Sequence, residues 1–437
     1  MHSGFKMRAL SEFKPPKPNR LVIWFCEALL PVYVNIVERL TFRFFESPGQ
    51  PLKFLKGKSV VVVINHGDRQ DPLVVVALAK HMGEAFYCLV AREVFDWYNG
   101  MLGWLFQKLG CYSVNRGVAD FRSIHTTHQI LAHSHSKLIV FPESEITGDE
   151  QSVHELNASF IHLLLESQED LAKSASGQSI WVLPVGVSYR LESSLEKSVS
   201  RLLRKIERRL HIDQKESDDI ESRVFAAVDK VLQNFAKRYM ISFGDAQSRV
   251  EQVRISARLI CERIANYTDF KTEHLKTEEM LMYFLRNRVA NGLATVKHHS
   301  AAQAQSLSPE VARTYRNFLE DLDRVERLLI LHRILKHPSS PIQICRIMDF
   351  LEAETTGRMT KKGRQCASIL IGKPIEVLPY LQSYKSCKDT AIKRLSTDIR
   401  RDMQTTLDSS RQISNPSHGT TSRWMSCFRT VMRQPGV

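Results

Sequence analysis

His66 and Asp71 stand five residues apart in the segment VVVVINHGDRQDPLVVVALA, residues 60–79. An imidazole with a near-neutral pKa can take a proton from a hydroxyl at physiological pH. A carboxylate bonded to that imidazole fixes its tautomer and stabilises the imidazolium that forms. Asp68 is a rival partner, but it lies inside the turn. Ser144, in FPES, lacks the G-x-S-x-G elbow of a nucleophilic serine. The pair therefore suits direct attack by a substrate hydroxyl on an electrophile. The competing reading is a turn histidine with no chemistry.

The elements that must position this pair are legible on either side of it. The β-branched run up to Asn65 reads as a buried parallel strand. The second apolar run reads as a helix, with Asp71 as its N-cap and Pro72 at its first position. In open α/β sheets ligands bind at that carboxyl edge. The alternation continues, with strands expected at 59–65, 85–91, 111–115, 137–141 and 180–188. Helices are expected at 72–82, 97–109, 120–133 and 153–167. After Arg190 the chain turns into long charged segments with apolar faces at helical spacing, four or more helices by that pattern. QCASILIGKPIEV, 365–377, is then a strand that should return to the first sheet. The expected class is α/β, a mostly parallel central sheet with helical crossovers plus a large α-helical insertion. The expected divisions are a basic arm, loose over residues 1–20, and membrane-proximal helix (1–57), an α/β core (58–191), the insertion (192–360), a returning strand and helix (361–409) and a flexible basic tail (410–437). HSAAQAQSLS, 299–308, reads as a mobile linker.

The chain has 437 residues and is 43% hydrophobic, enough for one large core or two modest ones. Its eight cysteines show no C-x-x-C spacing and fit a reducing compartment. Net charge is +14, which suits nucleic acid, anionic lipid or a phosphorylated substrate. No nucleic-acid-binding pattern accompanies the charge, so no nucleic-acid partner is expected. No uninterrupted apolar run is long enough to span a bilayer. LVIWFCEALLPVYVNIVER, 21–39, comes closest, interrupted by Glu27, Pro31 and Asn35. It reads as an amphipathic helix on a membrane or as a helix covering the core, and no signal-peptide cleavage site follows it.

Five other stretches carry candidate residues. GCYSVNRG, 110–117, is a short strand between glycines ending in Asn115 and Arg116, and a guanidinium suits phosphate. Arg92, also at a strand end, is a weaker phosphate candidate. KLIVFPESEITGD, 137–149, stops at Pro142 and places Glu143 at the sheet edge, to position an acceptor hydroxyl or hold Arg116. WVLPVGVSYR, 181–190, is a buried strand whose Pro184 limits its ladder and shapes a wall. His125 and His128 share a helical face, but no recognised metal pattern completes them. Each stretch also has a plain reading, as a surface arginine, a loop carboxylate or an ordinary helix histidine.

Taken together and in order, NHGDRQD, GCYSVNR, FPES and LPVGVSY resemble the four blocks of the glycerolipid acyltransferase family. Asn65, His66 and Asp71 match its NH-x4-D block, and Gly110 through Arg116 match the second. Phe141, Pro142 and Glu143 match the third, with Ser144 where glycine is usual and no arginine beside it. Leu183, Pro184 and Val185 match the fourth. The resemblance implies that His66, oriented by Asp71, deprotonates a glycerolipid hydroxyl that attacks an acyl thioester. The donor would be acyl-CoA or acyl carrier protein, with no metal or other cofactor. Asn65, Arg92, Gly110, Arg116, Phe141, Pro142, Glu143, Ser144 and Pro184 would line the substrate site. The implied acceptor is 1-acyl-glycerol-3-phosphate, with glycerol-3-phosphate or another lysophospholipid as alternatives. The implied place is the cytoplasmic side of a membrane, by peripheral association. A non-catalytic lipid- or protein-binding module on the same fold is the reading from another class.

Overall fold

The structure is a computed structural model. It describes residues 12–49, 51–133, 135–149, 151–174, 178–192, 196–213, 219–244, 248–272, 275, 277–298, 309–336 and 340–414. The chain divides into two compact units, residues 1–189 with 366–416, and residues 190–365 with the end of the chain.

The first unit is built on an eight-stranded sheet. Its strands are β1 (Leu40–Glu46), β2 (Ser59–Ile64), β3 (Tyr87–Ala91), β4 (Cys111–Val114), β5 (Lys137–Val140), β6 (Ile180–Leu191), β7 (Gln365–Ile371) and β8 (Ile375–Glu376). The order is β1-β7-β6-β2-β5-β3-β4, with β8 also on β6. β2 pairs in parallel with β5 and β6, and β3 with β4 and β5, whereas β8 is antiparallel to β6. The strand expected to return after the helical block does so as β7. The edge strand β1 has no counterpart among the expected strands.

Central β2 explains its own composition. All six of its residues are buried, because both faces of the sheet are covered. Val61 and Val63 join a core with the helices Phe121–Ala132, Ala158–Ser174 and Lys388–Ser414, through Ile130, Leu164 and Leu407. A near-continuous β-branched run is what such a strand requires. β6 also alternates. Gly186 faces the Lys388–Ser414 helix so closely that a Cβ would lie 2.6 Å from the Leu407 nitrogen. Ser188 exchanges a 2.9 Å hydrogen bond with Ser410 on that helix.

The N-terminal arm departs from expectation. Residues 1–11 lie outside the described residues, but 12–19 are not loose. Lys17 N–H donates to Gln107 O and Ser113 N–H to Lys14 O, and Lys14 N–H donates to Ser113 Oγ. This strap lies along edge strand β4. Asn19 then caps the helix Arg20–Tyr33, accepting from Leu21 N and Val22 N. The helix continues through a wider turn, Val34–Glu38. Together these 19 residues are long and apolar enough to cross a membrane by length and composition, and only 11% of that window is buried. Two other boundaries move. The expected helix at 97–109 becomes a 3-10 segment, Arg92–Gly100, followed by Met101–Lys108. The helix expected at 153–167 begins at Ala158.

Among the described residues the second unit holds six helices: Glu196–Leu210, Ile220–Tyr239, Arg249–Tyr267, Glu278–His298, Pro309–Lys336 and Pro341–Thr356. Their apolar faces form one core around Leu203, Leu232, Ile260, Leu328 and Met348. Asp219, Ser248 and Ser340 cap three of them. Buried Glu207 is held by Arg223 in a bidentate pair of 2.8 and 2.7 Å. The linker at 299–308 and the tail beyond Ser414 lie outside the described residues.

A Cβ at position 186 has to push helix backbone away from the sheet. Gly186→Ala is therefore expected to lower unfolding stability by about 1–3 kcal/mol, read as a reduced midpoint in urea denaturation.

Candidate active site

β2 ends at Ile64, and the next two residues are fixed by neighbouring chain segments. Asn65 is buried. Its side-chain oxygen accepts from Val187 N–H at 2.7 Å and its amide donates to Val187 O at 3.1 Å. It straps β2 to β6 and spends its amide inside the fold. His66 is held by its main chain at both ends. Its N–H donates to Glu143 Oε1 at 2.9 Å, and its C=O accepts from Thr147 N–H at 2.8 Å and Thr147 Oγ1 at 3.1 Å. The Phe141 ring stacks on the imidazole with centroids 4.2 Å apart.

His66 Nδ1 lies 2.7 Å from Asp71 Oδ2. Since the carboxylate only accepts, Nδ1 carries a proton, and in the neutral ring Nε2 is the nitrogen with the lone pair. Asp71 is fully buried. Its Oδ2 also accepts from Asp68 N–H at 2.9 Å, and its Oδ1 accepts from the Tyr189 hydroxyl at 2.5 Å. Both carboxylate oxygens are thus engaged, and neither caps the helix. Asp71 is the first residue of Asp71–Met82, after Gln70, and not its N-cap. The rival, Asp68, serves the turn instead, where its Oδ1 accepts from Gln70 N–H at 2.7 Å. Chemically, a buried carboxylate orienting a partly exposed imidazole is a base able to accept a proton at Nε2.

Glu143 is buried beneath this arrangement. Its second oxygen accepts from His154 N–H at 2.8 Å. Burial pushes its carboxyl up, opposed by the two backbone N–H groups and the nearby imidazoles of His154 and His66. Glu143 therefore holds the His66 loop and does not reach Arg116, which pairs with Glu93. Arg92 is fully buried, with Nε donating to Glu12 O at 2.7 Å and an ion pair to Asp96 at 3.2 Å. It is closed to an external phosphate. Gly110 serves the backbone, because it sits at φ +91° and a Cβ there would lie 2.7 Å from Phe86 O. Pro142 O accepts from Asn157 N–H, and Pro184 O from Gly372 N–H, each at 2.8 Å. Both prolines are buried.

Ser144 adopts φ +64°, the left-handed conformation that glycine favours. Its hydroxyl accepts from the Asn157 amide at 3.1 Å. The loop thus keeps a glycine-type backbone at the position where the sequence departs from the block. Sequence reasoning misses Tyr189 and Thr147 as site residues, although they lie in WVLPVGVSYR and KLIVFPESEITGD. The signal for Tyr189 is its period-two phase with Val187 on β6. Asp149 and His154, 3.2 Å apart, add a second carboxylate–imidazole pair on the same loop. Among the described residues no cluster of His, Cys, Asp and Glu is arranged to hold a metal, and His128 pairs with Asp170 at 3.2 Å. A separate pocket of about 350 Å³, lined by Phe95, Asp96, Asn99, Gly103 and Trp104 among others, does not include His66 or Asp71.

With this geometry in place, comparison with known families is informative. The Acyltransferase family model matches residues 49–188. That stretch is similar to an acyltransferase domain. It contains the strand-end pair, the Glu143 loop and β6 as far as Ser188. A search of curated proteins finds no match. The acyltransferase domain accordingly implies an acyl donor and a lipid acceptor in general terms.

Three substitutions at two positions test the supports. Glu143→Gln replaces one acceptor by an amide donor facing a backbone N–H, and should cost about 1–3 kcal/mol in denaturant unfolding. Ser144→Gly removes a left-handed non-glycine residue and should be neutral or stabilising by up to about 1 kcal/mol, whereas Ser144→Val should destabilise in the same assay.

Proposed function

We propose that this protein transfers a fatty acyl group from a thioester to a glycerophospholipid hydroxyl, with His66 as general base and Asp71 as its orienting partner. The observation that carries this is the 2.7 Å His66–Asp71 pair at the end of β2, inside the acyltransferase domain. His66 Nε2 takes the hydroxyl proton as the oxygen attacks the thioester carbonyl carbon. The tetrahedral intermediate collapses with cleavage of the C–S bond. The imidazolium returns its proton to the leaving thiolate, giving ester and free thiol. The step calls for no cofactor beyond the thioester, carried by coenzyme A or an acyl carrier protein.

The acceptor we favour is 1-acyl-glycerol-3-phosphate, giving phosphatidic acid. Arg116 is the candidate for its phosphate, and it would exchange Glu93 for that anion on binding. The exposed apolar helix Arg20–Tyr33 and the net charge of +14 support peripheral association with the cytoplasmic face of an anionic membrane.

Purified protein is incubated with labelled oleoyl-CoA and, in turn, 1-acyl-glycerol-3-phosphate, glycerol-3-phosphate and neutral or choline lysolipids. Transfer to the first acceptor is expected, with His66→Ala lowering kcat at least about 100-fold. Arg116→Ala should raise KM for phosphate-bearing acceptors more than it lowers kcat. If neither oleoyl-CoA nor oleoyl-acyl carrier protein yields product with any acceptor, the catalytic reading fails in favour of a binding module.

A further inference from the structure

In the Arg92–Gly100 segment, Trp97 leaves the helical region, and Tyr98 and Asn99 follow at φ +52° and +59°. Two consecutive left-handed residues without glycine are costly. Here they turn aromatic side chains toward solvent. Trp97 is 44% exposed and Tyr98 69%, and on the following helix Met101 is 68% and Trp104 55% exposed. In water, that exposure has no return. Tryptophan and tyrosine, each an apolar body with a polar tip, are best accommodated at the boundary between lipid headgroups and acyl chains.

This lip adjoins the N-terminal helix. Asn19 N–H donates to Lys108 O at one end, and helix Arg20–Tyr33 packs against Met101–Lys108. At the other end, the Tyr33 hydroxyl, raised by burial and by Glu38, also feels the nearby Tyr98. The two elements therefore run side by side, and the helix adds exposed Trp24 and Phe25. Lys17 before the helix, Arg20 at its start and Arg39 after it are exposed, a charge arrangement complementary to anionic headgroups.

We infer that the Trp97–Trp104 lip is a second membrane-contacting element, seated at the headgroup level of an anionic phospholipid bilayer beside the N-terminal helix. The inference rests on the membrane reading above. A lipid surface is favoured over a protein partner because an apolar helix of bilayer-spanning length, almost unburied, lies directly alongside.

The test uses the full chain with a single tryptophan retained, at 24, 97 or 104, and the others of its five replaced by phenylalanine. Each reporter, checked for native circular dichroism, is mixed with phosphatidylcholine–phosphatidylglycerol vesicles containing lipid brominated high on the acyl chain. Quenching and a blue shift at both Trp97 and Trp104 are expected. Trp97→Ser with Trp104→Ser in the otherwise intact chain should lower vesicle co-sedimentation about tenfold. Quenching of Trp24 alone overturns the lip and leaves the helix as the anchor. Quenching at none of the three overturns the membrane reading as well. Self-association in solution that the double variant abolishes would place a second copy of the chain on the lip and also overturn the inference.

Discussion

A charged carboxylate buried in the middle of an α/β unit must be satisfied from several directions at once, and Asp71 imposes that demand on everything around it. Its three partners come from the turn after β2, from His66 in the same turn and from Tyr189 far along β6. Losing any one leaves buried charge under-compensated. The sheet register is what brings Tyr189 into reach. β2 and β6 pair in parallel from Ser59–Ile180 to Ile64–Val185, and the Asn65–Val187 strap extends that pairing past the strand end. A slip of one residue would put Tyr189 on the opposite face. Sheet pairing and imidazole orientation are thus one constraint.

The histidine is positioned by its backbone as much as by its side chain. Glu143 and Thr147 seize the N–H and C=O of His66 from the loop after β5, and Phe141 from the same loop covers the ring. Each oxygen of Glu143 accepts one backbone N–H, an arrangement that favours the ionised carboxylate. Burial raises its pKa, and the donors from His66 and His154 oppose that rise. Because its folded pKa lies above the unfolded one, its titration contributes stability at low pH that is lost as pH rises through the folded pKa. The two N–H donors, by contrast, favour the ionised form. The hydrogen bonds to His66 and His154 are what reconcile the two.

Much of this is legible in the order of the residues alone. The β-branched run of β2 can be read because a strand buried on both faces tolerates little else. The His66–Asp71 spacing can be read because the turn is short. Other features are hidden for identifiable reasons. Asp71 looks like a helix cap because aspartate before proline usually is one, yet its oxygens are committed elsewhere. Residues 12–19, rich in lysine and proline, look loose, yet strap the edge at β4. LTFRFFE of β1 follows a helix with no glycine or proline between them, so nothing marks the change. Residues 153–157 carry an apparent helical pattern, but Glu143 uses His154 N–H as a donor. Helix can begin only after Asn157, whose side-chain oxygen accepts from Ser159 and Phe160 N–H.

β6 shows how stability and chemistry are divided within one strand. Gly186 and Ser188 admit the Lys388–Ser414 helix, where a larger side chain would meet backbone. Val187 and Tyr189, in the alternate phase, hold Asn65 and Asp71. Substitution at Gly186 acts on helix docking, and loss of the Tyr189 hydroxyl acts on the imidazole–carboxylate pair. The separation is incomplete because both sets share one backbone. A shift that accommodates a larger residue at 186 also moves the Val187 peptide, whose N–H and C=O are both bonded to Asn65. The C-terminal helix, outside the 49–188 acyltransferase match, is therefore mechanically coupled to the site through β6.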